Sequence, residues 1–89
     1  MAAASVPAAA IYAADKIAKV RELRAQAGAD PDRFGPASAD PEIQARIVHY
    51  DASLEMLERV LPGHPMVAQL RFELEVYRTL PPKRRPSGG

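Results

Sequence analysis

Six apolar residues, Ile43, Ile47, Tyr50, Leu54, Leu57 and Leu61, follow one another at steps of 4, 3, 4, 3 and 4. An α-helix turns through about 100° per residue, so this spacing lines all six along one side of a helix. Asp40 supplies an N-cap side chain just before it. Pro41 fits the first turn, where its missing N–H has no helical partner to lose, and Glu42 suits the positive end of the helix dipole. The pattern predicts a helix over about 41–61. "PGHP" (62–65) ends it, with His64 standing before Pro65 at the start of a further helix, about 65–80. There Val67, Leu70, Leu74 and Tyr77 share a line, and Met66, Phe72, Val76 and Leu80 are expected to widen the apolar face. So short a connection makes the two helices antiparallel neighbours.

The N-terminal third predicts another helix, about 7–27, with Ser5 as a possible cap, Pro7 in the first turn and Gly28 as the stop. Asp15, Lys19, Glu22 and Gln26 form one narrow polar stripe on it. Most of the remaining circumference is apolar: Ala10, Ile11, Ala13, Ala14, Ile17, Ala18, Val20 and Leu23. A helix apolar around most of its girth expects neighbours on several sides, which makes this the central helix. Between it and the second helix, "GADPDRFGPASA" (28–39) reads as an irregular loop pinned to the body by Phe34. "PPKRRPSGG" (81–89) reads as a flexible basic tail. The expected fold is all-α, a three-helix bundle with one domain over 1–80.

Eighty-nine residues support one small domain, and a single core of about 80 residues leaves only about 3–5 kcal/mol of net stability without a staple or a partner. There is no cysteine, which excludes disulfides, thiolate metal sites and thiol catalysis. The net charge of +1 conceals an asymmetry: residues 1–80 hold nine Lys/Arg against eleven Asp/Glu, and the tail adds Lys83, Arg84 and Arg85. A slightly acidic body gives no electrostatic reason to bind nucleic acid, and three tail charges are more simply a solubilising segment. The N-terminus lacks the basic start of a signal peptide, and Asp15 interrupts its alanine-rich run. No segment approaches a membrane span. A cytoplasmic chain is the expectation.

Taken on spacing, Asp15 is a solvated charge paired with Lys19 four positions on, an interaction worth about 0.2–0.5 kcal/mol. A metal-ligating role needs converging partners. His49 and Asp51 lie two apart on a helix and point about 200° from each other, so they cannot grip one ion together. His64, in a tight turn, suits an N-cap. Ser5, Ser38, Ser53 and Ser87 have no placed base, and no glycine-rich phosphate loop is present. Glu55/Arg59 and Glu58/Arg59 read as pairs on a solvated face. The residues alone describe a helical bundle without a self-contained active site.

"IYAADKIAKVREL" (11–23) resembles the last metal-binding segment of HD-superfamily phosphohydrolases, and most closely that of the Rel/Spo-type enzymes that hydrolyse guanosine tetraphosphate. The helix of that family runs Ala, Asp, Lys or Arg, apolar, any residue, Asn, apolar, Arg, any residue, Leu. Here the positions are filled by Ala14, Asp15, Lys16, Ile17, Ala18, Lys19, Val20, Arg21, Glu22 and Leu23. The continuation is similar too: a Pro/Asp-rich loop, a helix beginning "PEIQARIVHYDASLEML", a short turn and a closing helix, so that the likeness spans roughly 8–80. It implies that Asp15 is the fourth ligand of a catalytic divalent metal such as manganese. Arg21 would lie beside the site, and Lys19, where the family usually has asparagine, would join it in binding substrate. The family's other three ligands, a histidine and an adjacent His-Asp pair, lie upstream of this segment. This chain has no adjacent His-Asp pair, and both its histidines lie downstream of Asp15.

Two readings follow. In the first, the chain is the C-terminal helical portion of an HD-type phosphohydrolase acting on a nucleotide, inactive by itself and without a metal until upstream helices complete it. In the second, it is a non-enzymatic helical interaction module that forms a homodimer. Either way, the apolar first helix has too few neighbours within the chain, and the expected partner is a second copy or the missing N-terminal helices.

Overall fold

The computed structural model describes residues 6–80, and among them every regular element is a helix. In order these are α1 (Val6–Ala29), α2 (Pro31–Phe34), α3 (Pro41–Val60) and α4 (Pro65–Arg78). The all-α bundle matches the expectation. The tail expected to be flexible (81–89) and the possible cap Ser5 lie outside the described residues. None of the described helices is long and apolar enough to cross a membrane.

α1 passes through Gly28, the expected stop, and ends at Ala29. The chain turns instead at Asp30, whose carboxylate accepts the Arg33 N–H at 3.2 Å and starts α2 with Pro31 in its first turn. The expected irregular loop thus contains a helical turn, specified by the same Asp-Pro signal that opens α3. Gly35 ends α2 and is required there by space: a Cβ would stand 2.5 Å from the Pro31 carbonyl oxygen. At α3 the Asp40 carboxylate accepts the Glu42 N–H at 2.9 Å. Gly63 turns the α3–α4 link at φ 75°, a left-handed conformation that suits glycine. His64 caps α4, its Nδ1 accepting the Met66 N–H at 3.1 Å. α4 stops at Arg78, two residues earlier than expected.

The core lies where three helices meet. α1 contributes Ala9, Ala13, Ile17, Val20, Leu23 and Ala27; α3 adds Ile43, Tyr50 and Leu57, followed by Leu61; α4 adds Val67, Leu70, Leu74 and Tyr77. Ile47 and Leu54, on the expected α3 line, are half-buried at its margin. α4 packs most extensively along α1, and the alanines there allow the close approach. α3 and α4 are antiparallel, tied by Arg71 to Glu58 at 2.6 Å and by a short ion pair from Arg78 to Asp51. Glu58 therefore reaches across to α4 and not to Arg59. Phe34 packs against the core as expected, and its carbonyl accepts the Tyr77 hydroxyl at 2.6 Å.

One expectation about apolar faces fails, and another is met. Phe72 is 56% exposed, because on α4 it lies about 180° from the line through Val67, Leu70, Leu74 and Tyr77. As its shortage of neighbours within the chain leads one to expect, α1 is covered on one side only: Ile11 is 71% exposed, and Ala14, Ala18 and Ala25, on the same side, are exposed as well. The helix is central to the bundle, yet one apolar strip of it faces away from α3 and α4.

Candidate functional site

Asp15 stands on α1 at the border between that uncovered strip and the polar stripe. Its side chain is 51% exposed, with Lys16 Nζ at 3.4 Å and Lys19 Nζ at 3.9 Å. Lys16 is largely buried, and its ammonium lies 4.8 Å from the centre of the Tyr12 ring, a cation–π contact. Tyr12 in turn reaches Ser53 at 2.9 Å, while the Ser53 hydroxyl donates to the His49 carbonyl, so the phenol is the donor between the two. α1 and α3 are thereby pinned together one turn from Asp15.

The two residues expected to bind substrate part company. Lys19 and Arg21 are two positions apart and so about 200° apart around α1. Lys19 lines a groove of about 380 Å³ between α1 and α3, together with Glu22, Gln26, Arg46 and Tyr50. Tyr50 is only 5% exposed, and no described side chain or backbone group hydrogen-bonds its hydroxyl. Arg46 leans on Glu42 at 3.5 Å.

Arg21 turns to the opposite flank, where its Nε donates to Glu73 at 3.0 Å. Arg24 Nη1 donates to the same carboxylate at 2.6 Å and Gln69 Nε2 at 2.8 Å. Glu73 is 2% exposed. A carboxylate so placed needs both cations and the amide, because an uncompensated buried charge is strongly unfavourable. No residue close to Glu73 in the sequence marks it out. The available signal was the Arg21/Arg24 pair, three apart on one side of α1, with a glutamate flanking the buried line of α4.

The remaining candidates do not converge on Asp15. His49 is exposed and tilts against Tyr50, Asp51 is held by Arg78, and His64 serves as a cap. Among the described residues, no three His, Cys, Asp or Glu side chains group in a way that could hold a metal ion. The side chains present do not fit a divalent cation by themselves: the one carboxylate in place has two ammonium groups beside it, which would repel the ion. No family model, curated protein or solved structure matches this chain.

Proposed function

We propose that the chain is the C-terminal helical portion of an HD-type metal-dependent phosphohydrolase acting on a nucleotide such as guanosine tetraphosphate, and that it is inert until other helices complete it. The observation that carries this reading is the setting of Asp15. It lies between a polar groove on one flank and the uncovered strip of Ile11, Ala14 and Ala18 on the other. Helices laid over that strip would bury the exposed isoleucine and bring further side chains up to the carboxylate. The missing imidazoles would have to arrive that way, and they would have to draw Asp15 from Lys16 and Lys19.

The test is hydrolysis of guanosine tetraphosphate with manganese present. The chain alone gives no turnover. Supplied with helices bearing a histidine and a His-Asp pair, encoded in frame upstream or separately, it gains turnover that Asp15→Ala abolishes. Turnover that survives Asp15→Ala contradicts the reading, and so does a genome that encodes no such helices for it.

A second reading, a homodimeric interaction module, is favoured by Ile11 itself, since two copies joined through the same strip would bury both isoleucines. Sedimentation separates the two readings: a dimer that Ile11→Glu converts to a folded monomer supports the second, and a monomer at all concentrations excludes it.

A further inference from the structure

We infer that the groove between α1 and α3 is a binding site for a small phosphate monoester, with Lys19 and Arg46 holding the phosphate and Tyr50 donating to it. The two cations come from different helices and line the same groove of about 380 Å³, within the size range of small-molecule sites. Each is held only in a long, solvent-exposed ion pair along its own helix, Lys19 at 3.9 Å from Asp15 and Arg46 at 3.5 Å from Glu42, and such exposed pairs are weak enough for a phosphate to compete with them. A guanidinium and an ammonium group on two walls of one groove match the several acceptor oxygens of a phosphate.

Tyr50 is the second observation, independent of charge. Its ring belongs to the core, Tyr50 lines the groove, and its hydroxyl, open to solvent, has no hydrogen-bond partner among the described residues. A buried ring that spends its polar end on an open groove leaves a donor in place for a ligand.

Glu22 defines the rest of the ligand. Its carboxylate lines the groove with Gln26 and repels a bare polyanion, with Asp15 and Glu42 adding to that repulsion from the rim. A molecule that carries O–H or N–H donors beside its phosphate satisfies Glu22 and Gln26 while the phosphate meets Lys19 and Arg46. Nucleoside monophosphates and sugar phosphates share that chemistry; inorganic phosphate lacks the second half of it. The inference needs neither Asp15 nor a metal, so it can stand when every hydrolysis test fails and can fail when hydrolysis succeeds.

The experiment is an NMR titration of the full chain, labelled with nitrogen-15, against adenosine 5′-monophosphate, glucose 6-phosphate, inorganic phosphate and adenosine, without metal. The expected result is saturable shifts at Lys19, Glu22, Arg46 and Tyr50 with one or both monoesters, and weaker binding of phosphate and adenosine. Response to adenosine 5′-monophosphate alone assigns the donor half to a nucleoside, and equal response to glucose 6-phosphate assigns it to hydroxyls in general. Lys19→Gln and Arg46→Gln each weaken binding about tenfold, and Tyr50→Phe weakens it a few-fold, with spectra elsewhere unchanged. Arg33→Gln, on α2, binds as the parent does. Absence of shifts with both monoesters overturns the inference. So do shifts that Lys19→Gln and Arg46→Gln leave intact, or adenosine or inorganic phosphate binding as tightly as the monoesters.

Discussion

Glu73 receives three side-chain donors, two of them from residues 52 and 49 positions earlier in the chain. Such a carboxylate fixes the register of α4 against α1, because no neighbouring turn of α4 would meet Arg21 and Arg24 together. Glu73→Gln keeps the shape and removes the charge; it lowers stability by about 1–3 kcal/mol in urea unfolding. Tyr77 supplies a pH signature. Burial pushes its hydroxyl from 10.0 up to about 12. A group whose folded pKa is raised contributes stability that is whole below the unfolded value and declines as pH climbs toward the folded one. The stability difference between the parent and Tyr77→Phe is therefore constant up to about pH 10 and shrinks from there to about 12, as melting curves across that range would register. Residue roles set by their own neighbours in sequence were legible: Asp40 and His64 as caps and Phe34 as an anchor. Glu73 was not, because its meaning depends on side chains about fifty positions away.

At the scale of elements, the helices were readable wherever apolar spacing and capping agreed, as at α3. α2 was missed because glycine and proline density outweighed the local Asp30-Pro31 signal, although that signal is the one credited at Asp40-Pro41. Gly35→Ala tests how much the short helix matters. The added methyl would press on the Pro31 carbonyl at 2.5 Å, and overpacking against backbone costs about 1–3 kcal/mol. The expected result is a lower melting temperature, with the strongest loss of amide protection over α2 and at Phe34, whose carbonyl Tyr77 holds. Phe72 marks the limit of reading faces by composition: it is apolar and sits amid a buried helix, but its angle on α4 turns it outward. For the candidate site, the sequence put Asp15, Lys19 and Arg21 on one helix. It did not reveal that Arg21 belongs to the Glu73 clamp, which the pairing of α1 with α4 decides, or that Arg46 and Tyr50 join Lys19, which the pairing of α1 with α3 decides.

The whole molecule is a bundle whose central helix keeps one side open. Its core is continuous, and its buried side-chain nitrogen and oxygen atoms all have partners among the described residues. The features that remain unanswered are local: the exposed Ile11 strip, the half-exposed Asp15 beside it, and the groove at Lys19. They lie on adjoining sides of α1, and on the reading proposed above they are the surfaces that further helices and a nucleotide would occupy. That reading makes one demand of the 89 residues before any other, that they cannot retain a catalytic metal unaided. Calorimetric titration of manganese into the chain measures it directly. The account predicts only heats of dilution for the chain alone, and binding lost in Asp15→Ala once helices with a histidine and a His-Asp pair are supplied. Micromolar binding by the chain alone, or completed binding that Asp15→Ala leaves unchanged, would contradict it.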